Sequence, residues 1–484
     1  MDLMIIVAAC LTIAILYATT KMVQRRTLPE TKQGPSLPPV VSTVSLLAYV
    51  PTLVRSGLPA VIDHLHTKLG SVFTMSLFGL KKVTFLVRPE VTAHFFQGSE
   101  SEIRQSNIYK VTVPVFGRGV LYDVDFATRS RQISFCMESI KPLNLRGHVD
   151  SMDYFAQWGQ HGVVDIKHEM GHLILLIANR CFLGKQFREN VFDEEVSTLV
   201  QEIFENGFHL ISLFFPYLPI PPHRRRDKAR AKLGEIIHEV VRSRRSLSGR
   251  AAENDDVLQR LVDSKYINGR SMTESEIAGL LVCLMFTAQH TSSSASTWTG
   301  ACLLSHGGSS YLAAAVEEQK RIMERHGERV DYSVLQEMGT LHCCIKEALR
   351  LHPPANLLIR HASKGFSVRT REGNRFDIPK GHTLATCTTV ATGCPTSTRT
   401  LMFGPGREED KVGGKFSYTP FSAGRHACSG KDFAYMQIKV IWSHLLRNFD
   451  LELISPFPEE EWEKLAPGPR GKVMVSYKRR RLLP

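Results

Sequence analysis

The chain has 484 residues, room for about three domain-sized units at ~150 residues each or for one large enzyme with a single core, and too many for a small disulfide-stapled fold. Its 43% hydrophobic and 22% charged residues belong to an ordinary globular chain, which excludes disorder, collagen and coiled coil. The excess of 60 basic over 47 acidic residues, a net +13, favours contact with nucleic acid, anionic lipid or an acidic partner protein.

The first element is the apolar run LMIIVAACLTIAILYA, Leu3 to Ala18, extended by Thr19 and Thr20. Such a helix rises about 27 Å, close to the hydrocarbon thickness of a thin endoplasmic-reticulum bilayer. Only Met1 and Asp2 precede the run, whereas Lys21, Arg25 and Arg26 follow it. An uncleaved anchor is therefore expected over a cleaved signal peptide, with the downstream chain held in the cytosol. Residues 1–20 read as one N-terminal transmembrane helix and residues 21–39 as a basic, proline-rich hinge stiffened by Pro35, Pro38 and Pro39.

The body opens with two strand-like pieces, Val72 to Phe78 and Lys82 to Val87. Helical periodicity then covers Asn144 to His172, Asp193 to Leu213, Arg224 to Ser246 and Thr273 to Ser305. The last begins with a capping box, Thr273 as N-cap and Glu276 answering it. Its apolar stretch Ile277 to Ala288 runs into Gln289-His290-Thr291, so it reads as a buried core helix and not as a second membrane span. Strand signals return at Phe376 to Ile378 and Lys472 to Tyr477. A mainly α protein with small β-sheets is expected.

Pro216-Tyr217-Leu218-Pro219-Ile220-Pro221-Pro222 leads into His223-Arg224-Arg225-Arg226. This loop either dips into a bilayer surface, its arginines meeting lipid phosphates, or is a solvated loop before a charged helix face. The tail Lys478-Arg479-Arg480-Arg481 likewise either meets an acidic surface or is mere solubilising charge. Aromatic and basic residues do not interleave and zinc spacing is missing, so no nucleic acid is expected as a partner. The ten cysteines are scattered without a CxxC pair, which suggests neither a disulfide framework nor a zinc ribbon.

One cysteine stands apart. Phe421-Ser422-Ala423-Gly424-Arg425-His426-Ala427-Cys428-Ser429-Gly430 precedes the helical pattern Phe433 to Lys439. Backbone N–H groups at such a helix start favour a thiolate, which serves as a nucleophile or as a metal ligand. Upstream, Lys346-Glu347-Ala348-Leu349-Arg350 places Glu347 and Arg350 three apart on one helix face, where they can pair, before His352-Pro353-Pro354 ends the helix.

FxxGx(R/H)xCxG after ExxR resembles the cytochrome P450 superfamily. The resemblance implies that fold, with residues 40–484 as the catalytic domain, and Cys428 as the axial iron ligand of a haem b. Phe286-Thr287-Ala288-Gln289-His290-Thr291-Ser292 falls where that superfamily handles oxygen, so Thr291 is expected to hydrogen-bond oxygen or its water and His290 to relay protons. The alternative for these hydroxyls is back-bonding to the carbonyls four residues earlier.

Gln289-His290-Thr291-Ser292 and Tyr109 to Asp123 are similar to the sterol 14α-demethylase family, and most closely to its plant, obtusifoliol 14α-demethylase-like members. The resemblance implies that Tyr109, Tyr122, Arg129, Arg360 and His426 approach the haem propionates, and that Phe421 and Gly424 also belong to the cofactor-binding residues. Val111, Phe116, Met285 and Ala288 are then expected to line the substrate pocket. It also implies an endoplasmic-reticulum membrane protein with a cytosolic catalytic domain, supplied with electrons by NADPH-cytochrome P450 reductase.

Three departures from the family pattern stand out. Val111 replaces a phenylalanine and reshapes the pocket. Ala288 replaces a glycine and narrows the groove of the helix. Thr388 to Phe403 is short, with Met402 where an arginine partner of the Glu347–Arg350 pair belongs, unless Arg399 or Arg407 substitutes. The expected function is a haem-thiolate monooxygenase that demethylates a sterol by three oxygenations and releases formate. Two alternatives follow from the departures: a diverged triterpenoid hydroxylase of plant specialised metabolism, and a catalytically silent paralogue.

Overall fold

Thr273 and Glu276 exchange the expected capping hydrogen bonds and start a 31-residue helix, Glu274–Leu304. From Ile277 to Val282 and again from Ser294 to Ala301 every side chain is buried, as in a helix that other helices surround. This computed structural model describes residues 37–79, 81–139, 154–183, 192–208, 212, 215–246, 256–305, 309–391, 415–462, 464 and 466–480. The expected membrane anchor, most of the hinge and the segment with Arg399, Met402 and Arg407 lie outside them. Among the described residues no helix is long and apolar enough to cross a membrane.

The contacts divide the chain into two units. The first comprises residues up to Ile108 with 356–395 and 410–427. It holds a six-stranded sheet ordered Val40–Val41, Val72–Leu77, Lys81–Leu86, Thr383–Cys387, Leu357–Ala362, Ile103–Arg104. Its core sits where Val61, Ile62 and Leu65 of helix Val50–Leu69 meet Phe73, Phe85 and Ala385. Thr383–Cys387 is buried at every position, which hides it from an alternation rule suited to half-buried strands.

The second unit is helical and packs around Glu274–Leu304. Helices Ile166–Leu183, Pro221–Ser246, Gly339–Leu351 and Lys431–Asn448 lie against it. Gly300 lets Lys431–Asn448 come close, since a Cβ there would stand 2.4 Å from Cζ2 of Trp442. The Trp442 indole N–H is shared between the carbonyl of Ser296 at 3.1 Å and its hydroxyl at 3.0 Å.

Two expectations need correction. The helix expected over Asn144 to His172 is interrupted: His161–Asp165 is a strand paired antiparallel with Met474–Arg479, and the helix begins at Ile166. Val163 and Val164 beside Gly162 favour an extended chain once a partner strand is present. The helix expected from Asp193 to Leu213 ends at Gly207, while the next begins at Pro221, a residue suited to a first helical turn.

Candidate active site

In the first unit, the cysteine motif begins with Phe421 and a tight backbone. Ser422 and Gly424 both have positive φ, 57° and 64°. A Cβ on Gly424 would lie 2.2 Å from the carbonyl oxygen of Phe96, so glycine is required there. The short 3-10 turn Gly424–His426 follows. His426 Nε2 lies 3.3 Å from Oε2 of Glu100. With the Gln105 amide turned to satisfy its neighbours, its nitrogen donates to His426 Nδ1 at 3.1 Å and its oxygen accepts from Arg360 at 3.0 and 3.1 Å. Arg360 is buried, with its guanidinium 5.1 Å from the ring centre of Phe95. Gln105 thus joins two of the expected anion partners, and no sequence motif marks it.

In the second unit, Cys428 stands three residues before helix Lys431–Asn448, whose N-cap is Gly430. Among the described cysteines it alone is exposed, and it is free of disulfide. Burial pushes the thiols of Cys136, Cys302 and Cys344 up to about 12. Surrounding protein also raises the Cys428 thiol, but the Gly430 N–H hydrogen-bonds its sulfur and pulls the other way. An open thiol with a backbone donor at a helix start fits a thiolate ligand for iron.

The same unit gathers Tyr109, Tyr122 and Arg129. The two tyrosine rings stack at 4.9 Å, and the buried Arg129 guanidinium lies 5.5 Å from the Tyr122 ring centre. A cation with two phenols is a donor set for carboxylates such as haem propionates. Glu347 and Arg350 form their expected pair, both buried, at 2.6 and 3.0 Å.

Among the described residues, His290 and Thr291 hydrogen-bond to other groups and not to each other. The half-buried His290 ring places Nε2 2.9 Å from the Ala466 carbonyl, to which it donates, and burial pushes its pKa below the usual 6.5. Thr291 donates back to the Thr287 carbonyl at 2.5 Å. The hydroxyl therefore has only its lone pairs left for an incoming donor.

The second unit also carries an apolar wall. Phe116 and Met285 are buried, and Val111 and Ala288 are half-buried. Phe286 stacks on Phe208 at 4.2 Å, contacts Phe204 at 4.6 Å and faces Phe116 at 6.1 Å. Phe204 and Phe208 were not among the expected pocket residues.

The segment carrying Phe116 is held from two sides. Arg230 Nε donates to the Val115 carbonyl at 2.9 Å and its Nη2 to the Phe116 carbonyl at 3.1 Å. Gln132 accepts from the Leu121 N–H at 2.8 Å and donates to the Gly119 carbonyl at 2.9 Å. Arg230 sits in a run of basic residues that reads as solvated, yet Arg226, Arg230, Leu233 and Ile237 share one helix face. That spacing was the available signal.

The cytochrome P450 family profile matches residues 35–474. The chain is 48% identical to obtusifoliol 14-alpha demethylase of Sorghum bicolor, covering 92% of this chain and 91% of that protein. It is 47% identical to sterol 14-demethylase of Arabidopsis thaliana, covering 99% and 97%, and 31% identical to human lanosterol 14-alpha demethylase, covering 99% and 93%. Its fold is similar to that of the retinoic acid-bound cyanobacterial CYP120A1, with a TM-score of 0.75 at 20% identity over 92% of this chain and 99% of that one. Profile, relatives and cysteine motif agree: the chain belongs to the cytochrome P450 family, in its sterol 14α-demethylase branch.

Proposed function

We propose that the chain is a sterol 14α-demethylase, of obtusifoliol type, with Cys428 as the thiolate that would hold the iron of a haem b. The observation that carries this reading is the exposed Cys428 thiol, with the Gly430 N–H on its sulfur at the start of helix Lys431–Asn448. The names of the plant relatives support the substrate class. When bound, the haem supplies activation of molecular oxygen with electrons from NADPH-cytochrome P450 reductase.

The residues around it have separable roles. In the second unit Arg129 with Tyr109 and Tyr122 is a donor set that would suit a haem propionate, and in the first unit Arg360 with His426 is another, beside Phe421 and Gly424. Phe116, Met285, Ala288 and Val111, with Phe204, Phe208 and Phe286, exclude water and hold the sterol skeleton. Thr291 accepts a hydrogen bond from the water that delivers protons. His290, neutral and tied to Ala466, orients the helix at that turn. Phe215, Tyr217 and Leu218 are exposed beside Arg224 and Arg225, which supports a membrane-surface contact through which an apolar substrate enters. An N-terminal anchor in the endoplasmic-reticulum membrane completes the reading.

Val111 and Ala288 favour a second reading, hydroxylation of a related triterpenoid. The experiment is a reduced carbon-monoxide difference spectrum on membranes that contain the chain, followed by binding spectra with obtusifoliol and with an oxygenated triterpene. A strongly red-shifted Soret band and tighter binding of obtusifoliol are expected, with formate released on turnover. An unshifted or missing band overturns the haem-thiolate assignment and leaves a catalytically silent paralogue. A shifted band with tighter triterpene binding moves the substrate to the second reading.

A further inference from the structure

Helix Ile166–Leu183 begins Ile166-Lys167-His168-Glu169-Met170-Gly171-His172, which spaces two histidines four apart with a glutamate after the first. That spacing puts His168 and His172 on one helix face. Both are exposed, and their rings are nearly parallel, 10° apart, with centres 6.3 Å apart. At about 2.0–2.1 Å per metal–nitrogen bond, two imidazoles on opposite sides of one ion stand about 6.5 Å apart and adjacent ligands closer, so these exposed rings sit at the upper limit and approach further by side-chain rotation to share an ion.

The surroundings of His172 prepare it as a ligand. The Tyr154 hydroxyl donates to Oε2 of Glu169 at 2.8 Å and lies 3.2 Å from His172 Nδ1. With its single proton committed to the carboxylate, the phenol oxygen accepts from Nδ1–H of His172. That tautomer leaves the Nε2 lone pair for a metal. A carboxylate behind the outer nitrogen of a histidine is the arrangement that orients metal-bound imidazoles.

We infer that His168 and His172 form a surface site for a divalent transition-metal ion, with water completing the coordination and Tyr154–Glu169 as its supporting relay. Imidazole donors and the divalent affinity order make Cu2+ the tightest occupant, above Ni2+ and Zn2+. The same sequence pattern, H-E-x-x-H, serves metalloproteases, but that chemistry needs a third protein ligand and the glutamate free beside the metal. Here Glu169 is bonded to Tyr154, and among the described residues no group of three His, Cys, Asp or Glu side chains converges on a metal position. The site is therefore a binding site and not a hydrolytic one.

The test is calorimetric titration of the purified full-length holoprotein with CuCl2, NiCl2 and ZnCl2, with electron paramagnetic resonance of the Cu2+ form. One equivalent of Cu2+ with two nitrogen ligands is expected, together with a rise in Tm on metal addition. His168→Ala and His172→Ala should each weaken that equivalent at least 10-fold, and the double variant should abolish both it and the Tm rise. Tyr154→Phe should weaken it about 10-fold with both histidines intact. Unchanged stoichiometry in the double variant, or a single variant that binds as tightly as the parent, overturns the site. Unchanged affinity in Tyr154→Phe overturns the relay. These readouts stand apart from turnover of the haem.

Discussion

Arg350 grips Glu347 at two points, Nη2 on Oε1 at 2.6 Å and Nε on Oε2 at 3.0 Å, with both side chains buried. Removing one member of such a pair leaves a buried charge uncompensated, at a cost of about 3–5 kcal/mol. Arg350→Ala should lower the urea midpoint accordingly and reduce haem retention. Arg350→Lys keeps the charge but loses the fork, and should fall between the two. A midpoint equal to the parent in Arg350→Ala would remove this pair from the supports of the core.

Arg230 holds the Val115 and Phe116 carbonyls. Arg230→Met should leave both without this donor, at about 1–3 kcal/mol for each that stays buried. The segment beneath the proposed sterol wall would loosen, so KM for the sterol should rise several-fold with a smaller change in kcat. Steady-state kinetics beside a thermal melt separates this from general unfolding.

Glu276 gives the protein an acid-sensitive link. Burial by itself would raise its pKa, but hydrogen bonds from Arg270, Thr273 and Tyr266 outweigh it and hold the carboxyl at about 2, against the ordinary 4.5. A depressed folded-state pKa stabilises above the unfolded value and loses that contribution as pH falls from about 4.5 towards 2. Tm measured between pH 7 and pH 3 should therefore fall less steeply below pH 4.5 in Glu276→Gln than in the parent.

Gly300 tests how the helix of Thr291 meets the helix that follows Cys428. Alanine in a helix interior is worth about 1 kcal/mol over glycine, yet its Cβ would stand 2.4 Å from Trp442, a buried ring bonded to Ser296. Gly300→Ala should therefore destabilise by about 1–3 kcal/mol. Denaturant unfolding decides the sign, and a gain in stability would show that the two helices separate freely.

The local chemistry of the site was legible along the chain because neighbouring residues make it. The Thr273–Glu276 capping box, the Glu347–Arg350 pair and the glycine-bounded Cys428 each depend on contacts within four residues, which sequence spacing displays. The strand His161–Asp165 was not legible, since its partner Met474–Arg479 lies some three hundred residues away and overrode a helical pattern. Only the tertiary structure could decide that Arg230 faces two carbonyls and not water, that Gln105 joins Arg360 to His426, and that His290 turns to Ala466. Each of these is a polar side chain whose partner is a distant backbone or amide group, and packing, not periodicity, chooses that partner.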